Sequence, residues 1–242
     1  MDGQAMFGDL RRPLGLPRQF TLQAFRKAAP VDSQSIWDLV LERHQQRMTV
    51  RRADKAQDNL RKLIEATFRL ANKVGFVSMT LRDLSRETGL SMGGLYGYIA
   101  SKDDLAAMVE DMIHLLGGAI PHWFTDHQDA DARLDATLRG HIYLTELLQP
   151  WFYFVFMESR MLDASQRQVA KAAELQLHAD IAGLLRDVGA LATEQAELLA
   201  GHTVAAMQDW YVKRWKYRHK KIAVEQFADD VCAMTLRLVA KT

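Results

Sequence analysis

Proline interrupts this chain at only five places, Pro13, Pro17, Pro30, Pro121 and Pro150, and between them apolar residues recur at helical spacing. Proline removes a backbone donor and clashes with the preceding turn, so proline-free stretches with a 3.6-residue period read as helices. No segment shows two-residue alternation bounded by turn dipeptides, and no internal repeat is present. The chain is therefore expected to be all-α. The spacing predicts helices over about 19–28, 33–48, 53–73, 80–88, 92–99, 102–117, 120–128, 130–147, 150–162, 165–188, 193–216 and 223–240.

The chain has 242 residues, 48% hydrophobic and 25% charged, the profile of a globular protein of one large or two modest domains. No apolar run approaches the roughly 20 residues of a membrane helix; the richest, Trp151–Met157, is far shorter. The N-terminus has no apolar stretch behind a basic start. No membrane association and a cytoplasmic location are expected. The single cysteine, Cys232, excludes an intramolecular disulfide and a cysteine zinc site, and reads as a buried small hydrophobe. His122, Asp126 and His127 come nearest to a metal cluster, but a five-residue spacing puts the two histidines on different helix faces. No metal and no cofactor are expected.

The net charge of +1 hides a local imbalance. Residues 51–102 hold ten basic side chains against five acidic ones, the footprint of a phosphate-binding surface. Ahead of that stretch lies an extension, residues 1–50. Its first 18 residues, with Gly3, Gly8, Gly15, Pro13 and Pro17, are expected to be flexible. Ser33 is expected to cap a helix whose Ile36, Trp37, Val40 and Leu41 share one side. That extension reads either as a helix packed on the body or as a basic arm reaching DNA through Arg43, Arg47, Arg51 and Arg52.

The helix over 53–73 puts Leu60, Leu63, Ile64, Thr67, Phe68 and Ala71 on one face, with Gly75 as its C-terminal punctuation. Thr80-Leu81-Arg82-Asp83 then forms a capping box, in which the Thr80 hydroxyl accepts from the Asp83 N–H and the carboxylate reaches back. Gly89 tolerates the positive φ of a tight turn. Leu90 is expected to plug the core, and Ser91 to cap a second short helix whose Leu95 and Ile99 face inward. Short helix, glycine turn, capped short helix is helix-turn-helix geometry, in which the second helix enters the major groove.

This run resembles the TetR family of repressors over roughly Leu60–Leu105. The residues that carry the likeness are Phe76, Thr80, Leu81-Arg82-Asp83-Leu84, Thr88-Gly89-Leu90-Ser91, Leu95-Tyr96, Tyr98-Ile99 and Ser101-Lys102-Asp103-Asp104-Leu105. The resemblance implies an N-terminal three-helix DNA-binding domain, here 51–105, and a C-terminal effector-binding and dimerisation domain, here 106–242. It implies a homodimer on a palindromic operator, acting as a ligand-released repressor. It places Thr80 at phosphate, Met92, Gly93, Gly94 and Tyr96 at the groove, and Tyr98 and Lys102 on the DNA backbone. Arg82, Ser91, Arg51 and Arg52 complete the expected DNA-binding set. The reading positions depart from the usual direct-readout chemistry, because Met92, Gly93, Gly94 and Gly97 offer almost no side-chain hydrogen bonds. Specificity then has to come from methyl contacts, backbone approach, DNA shape or the arm near Arg51.

Beyond Leu105 the likeness thins. Trp123, Phe124, Phe152, Phe156 and Met157 are expected to line an apolar effector pocket, with His141, His178 and Gln208 as polar contacts; Met161 is a further apolar candidate. Leu198, His202, Ala205 and Asp209, with Phe227, Val231 and Met234, are the candidate dimer face; plain intrachain core is the competing reading for both sets. The end of the chain loosely resembles TetR regulators that answer fatty acyl or acyl-CoA ligands. An enzyme finds no support, since no Walker loop, dinucleotide fingerprint, nucleophile elbow or His-Glu-x-x-His is present. The alternative is a DNA-binding or protein-interaction module that retains the fold without sequence reading.

Overall fold

The computed structural model of the chain describes residues 10–15, 20–50, 53–158 and 164–240. They form twelve α-helices: α1 (Leu22–Ala28), α2 (Ile36–His44), α3 (Ala53–Val74), α4 (Leu81–Thr88), α5 (Met92–Tyr96), α6 (Lys102–Gly117), α7 (Ala130–Leu147), α8 (Gln149–Glu158), α9 (Ala164–Val188), α10 (Thr193–Val212), α11 (Arg214–His219) and α12 (Val224–Val239). Two 3-10 turns, Gln45–Arg47 and Ile120–Phe124, are added, and no strand occurs among the described residues. The all-α expectation holds.

Three boundaries differ from the sequence reading. The helix expected over 120–128 is the 3-10 turn, opened by Pro121, whose missing N–H suits a first turn and not a continuing ladder. The helix expected over 193–216 breaks at Lys213, where φ −114° and ψ 35° leave the helical basin, and resumes as α11. The entry to α2 is held by Asp32 and Ser35, not by Ser33: Asp32 Oδ1 accepts from the Gln34 and Ser35 N–H groups, both at 2.8 Å.

The chain divides into two compact units. The first contains residues 31–114 and 150–170. Its core is the apolar face of α3, where Leu60, Leu63 and Ile64 are fully buried. Trp151 of α8 packs 5.1 Å from Trp37 of α2 and 5.6 Å from Phe68 of α3, and Phe154 packs 5.5 Å from Phe76. A two-pronged bond from Arg43 to Asp111, at 2.7 and 2.8 Å, fixes the end of α2 to α6. Burial works against the Asp111 carboxylate, but His44 and Arg43 together hold its pKa far below the usual range.

The second unit contains residues 9–30, 115–149 and 171–242. There α7 packs against α10 and α12. Leu134, Leu138 and Ile142 of α7 and Trp210 of α10 are fully buried. The Thr203 and Thr235 hydroxyls pair at 3.4 Å, and Thr235 also donates to the Val231 carbonyl, so these core hydroxyls are satisfied. Glu146 accepts from the Trp210 indole at 2.9 Å and from Arg214. The extension is therefore split between the units: α2 belongs to the first, while α1 and the segment before it belong to the second.

Candidate functional site

The capping box forms as its residues dictate. The Asp83 N–H donates to the Thr80 hydroxyl at 3.2 Å, and Asp83 Oδ2 accepts from the Thr80 N–H at 3.0 Å. Those bonds, with Arg86 one turn on, hold the Asp83 carboxyl below its ordinary pKa. At the other end of α4 Gly89 takes φ +74°, a left-handed conformation that any side chain would strain. Leu90 is half-buried and does not plug the core as expected; its backbone is held instead, with the Ser85 hydroxyl donating to its carbonyl at 2.6 Å. The Ser91 hydroxyl then accepts from the Gly94 N–H at 3.1 Å and starts α5.

Leu95 is fully buried and Ile99 nearly so, which leaves Ser91, Gly93 and Tyr96 on the outer face of the α5 segment, with Tyr96 54% exposed. The short helix is thus held outward by its own apolar residues. Thr80 and Arg82 are exposed on α4, and Met92 and Gly94 are half-buried. Arg51 and Arg52 lie outside the described residues.

Two expected DNA contacts are corrected. Tyr98 is 5% exposed, and its hydroxyl accepts from Asn59 Nδ2 at 2.9 Å inside the first unit. The Lys102 ammonium donates to the carbonyls of Phe76, Val77 and Met79 at 2.7, 2.6 and 3.0 Å and sits 5.0 Å from the Phe76 ring centre. An ammonium has three donors, so one bent loop consumes all of them. In this structure both side chains position the helix-turn-helix and neither is turned outward.

A further contact was not foreseen. The Thr49 N–H donates to the Gly97 carbonyl at 3.0 Å, and an added Cβ on Gly97 would lie 3.0 Å from Val50 Cγ2. The end of the extension is thereby stitched to the end of α5, immediately before Arg51 and Arg52. Only the basic run there hinted at it.

The expected effector residues divide. Trp123, Phe124, His141, His178 and Gln208 belong to the second unit; Phe152, Phe156 and Met157 belong to the first. Met161 lies outside the described residues. Trp123 and Phe124 are fully buried, so they do not line an open cavity. Their neighbours are Phe20 and Phe25 of the extension: Phe20 is 5.6 Å from Phe124, and Phe25 is 5.9 Å from Trp123. Phe152 is likewise buried, whereas Phe156 and Met157 are exposed. Burial pushes the His141 imidazole down to about 4. His178 lies beside Gly201, and Gln208 donates to Glu174 at 3.3 Å.

The candidate dimer face also sorts itself. Leu198, His202 and Ala205 of α10 and Met234 of α12 are exposed, Leu198 by 64%. Phe227 and Val231 are corrected to intrachain core: Phe227 stacks 4.9 Å from Trp210 and 5.0 Å from Tyr217, and Val231 is 5% exposed. Asp209 is taken up by Tyr217, Lys216 and Lys213. Among the described residues no cluster of histidine, cysteine and carboxylate side chains is suited to a metal, and no helix is long and apolar enough to cross a membrane.

A capped helix, a left-handed glycine, a second capped helix presented outward and a separate helical unit define the helix-turn-helix fold found in transcription regulators. Residues 63–109 match the family model described as bacterial regulatory proteins, tetR family. Over those residues the chain is similar to the TetR family. Solved structures agree in fold. A TetR-like transcriptional regulator from Rhodococcus sp. RHA1 superposes with TM-score 0.63 at 18% identity, over 80% of this chain and 100% of that one. AibR, solved with isovaleryl coenzyme A and operator DNA, gives 0.60 at 17%, over 73% and 97%. The fatty acid degradation regulator FadR from Bacillus halodurans gives 0.58 at 14%, over 74% and 94%. No curated protein matches the chain in sequence.

Proposed function

We propose that two copies of this chain form a cytoplasmic repressor on a palindromic operator, and that a small apolar molecule entering the second unit releases it. The observation that supports DNA reading is the outward α5 segment, whose Ser91, Gly93 and Tyr96 are exposed while Leu95 and Ile99 anchor it. Glycine at the reading positions lets backbone N–H groups and the Met92 side chain approach the groove closely, and Thr80, Arg82, Arg51 and Arg52 supply phosphate contacts. The exposed face of α10 and α12, with Leu198, His202, Ala205 and Met234, is where the copies pair, because small and apolar residues permit close helix approach. Pairing sets two reading heads one helical turn apart, about 34–36 Å. The likeness in fold to AibR, solved with isovaleryl coenzyme A, and to the fatty acid degradation regulator FadR makes an acyl or acyl-CoA compound the effector class to try first.

Selection of bound duplexes from a random library tests this. The expected result is an inverted repeat enriched over background. A salt-dependent affinity with no preferred sequence supports the alternative instead, a nonselective DNA-binding module. That alternative has one observation in its favour: Ser91 is used as a cap, which leaves Tyr96 as the one hydrogen-bonding side chain that α5 presents to bases.

A further inference from the structure

Between Trp210 and Val224 the chain carries no acidic residue, and residues 213–221 hold six lysine and arginine side chains with Trp215 and Tyr217 among them. Three of the cations are taken up inside the second unit. Lys213, at 3.4 Å, and Lys216 pair with Asp209; Arg214 pairs with Glu146 and lies 4.4 Å from the Trp210 ring centre. Tyr217 donates to Asp209 and packs 5.1 Å from Trp210 and 5.0 Å from Phe227. These contacts fix the inner side of α11 to α10 and α12, and the outer side is left over. Trp215 is 72% exposed, more than any other large apolar side chain among the described residues, and no ring or hydrogen-bonding group of those residues meets it. Arg218, one helical turn on, and Lys220 and Lys221 beyond it are exposed, with no carboxylate partner among the described residues.

The backbone gives a second, independent sign. α11 ends in a turn in which the Lys221 N–H donates to the Arg218 carbonyl at 3.1 Å and the Ile222 N–H to the Tyr217 carbonyl at 3.0 Å. That turn puts Lys221 at φ +55°, the one non-glycine residue with a left-handed backbone among the described residues. Glycine is what this position favours, because a side chain there strains the backbone. A lysine is kept despite the strain, beside an unpaired arginine and an open indole. Cations next to an open aromatic face match a chain of phosphates that carries unpaired bases: ammonium and guanidinium groups take the phosphates, and a base stacks on the ring. We propose that α11 and the turn after it form a binding surface for single-stranded nucleic acid, with Trp215 as the stacking platform and Arg218, Lys220 and Lys221 as the phosphate contacts. An anionic bilayer would also draw the cations, but it takes up an apolar face, and of the described residues Trp215 is the only exposed large apolar side chain between Leu198 and Met234. A second copy meeting this surface with its own α11 would set cation against cation. A duplex would satisfy the phosphate contacts and leave the indole with no unpaired base to stack on.

The inference does not rest on the operator reading, and its test keeps the two apart. Fluorescence anisotropy of fluorescein-labelled dT20 and rU20 is followed with the full-length protein and its Trp215→Ala, Trp215→Phe and Lys221→Gly variants. The native chain is expected to bind at least one strand, and tighter binding of one identifies the natural source. Trp215→Ala is expected to weaken that binding about fivefold or more, the loss of one stacked base, while Trp215→Phe stays within about threefold of native. Lys221→Gly is expected to melt at a higher temperature and yet to bind about two- to fivefold more weakly, with the salt slope reduced by about 0.7. Affinity for a duplex of the same length is expected to be unchanged in Trp215→Ala. Strand binding by Trp215→Ala equal to native overturns the proposal and assigns that binding to another surface. It is overturned equally by Lys221→Gly binding as tightly as native, or by a Trp215→Ala loss just as large on the duplex. A Trp215→Ala sedimenting mass half that of native overturns it in favour of an interface between copies. Native protein that binds neither strand overturns it too, and binding to vesicles of phosphatidylcholine and phosphatidylglycerol would then name a lipid surface instead.

Discussion

At the scale of single residues, the ammonium of Lys102 acts as a clamp on the bend between α3 and α4. Its three carbonyl acceptors belong to one short stretch, 76–79, and charge-assisted bonds of this kind contribute about 1.5–3 kcal/mol in total where partly shielded. Lys102→Met is therefore expected to lower unfolding free energy by about that amount. It should weaken operator binding for all sequences alike, since the whole reading head shifts. The slope of log affinity against log salt separates the roles: a phosphate contact reduces it by about one charge, whereas a clamp leaves it unchanged. Sequence pattern had pointed Lys102 and Tyr98 at phosphate because both types suit it. Only the folded loop shows that nearer acceptors, and Asn59 in the case of Tyr98, claim them first. His141 carries a pH signature. The folded chain protonates it only near pH 4, whereas the unfolded chain does so near 6.5. Between those values the unfolded state binds the extra proton, so stability is full above about pH 6.5 and falls as pH drops toward 4, by a few kcal/mol in order of magnitude. Urea unfolding at pH 7.5 and 5 should show this, and His141→Gln should flatten the difference.

At the scale of elements, α5 and its C-cap hold two kinds of glycine. An added Cβ on Gly93 meets nothing within 4 Å, so Gly93→Ala should raise the melting temperature through a gain of about 0.5–1 kcal/mol in helix stability. On Gly97 the Cβ would sit 3.0 Å from Val50 and 3.2 Å from the Gly94 carbonyl, so Gly97→Ala should lower the melting temperature and loosen the arm. Equal shifts for the two would contradict the stitch between Thr49 and Gly97. The capping box, the Gly89 turn and the Ser91 cap were all legible in sequence, because each depends on residues within a few positions of one another. The break at Lys213 and the contraction of 120–128 to a single turn were not, since local apolar periodicity continues through both. The Thr49–Gly97 bond spans 48 positions and leaves no periodic trace.

For the whole molecule, the exposed apolar face of α10 and α12 makes the proposed dimer measurable. Leu198→Glu is expected to halve the sedimenting mass and to weaken operator binding at least tenfold, while helical content stays unchanged. A dimer that persists would move the interface elsewhere. The all-helical class and the order of elements were readable from period alone. Which aromatic residues face solvent and which face one another was not, because Trp123, Phe124 and Phe227 have the same pattern whether they line a pocket, a dimer or a core. Long-range packing decides it: Phe25 and Phe20 pack against the first two, and Trp210 and Tyr217 enclose the third.

The lone thiol offers a clock. Cys232 is 2% exposed, its sulfur lies 3.8 Å from the Asp135 carbonyl, and burial pushes its pKa well up. A maleimide or disulfide reagent finds no thiolate there until α12 parts from α7. The rate of alkylation thus counts how often that seam opens, with no mutation or dye needed, and a compound that tightens the second unit should announce itself by slowing the count.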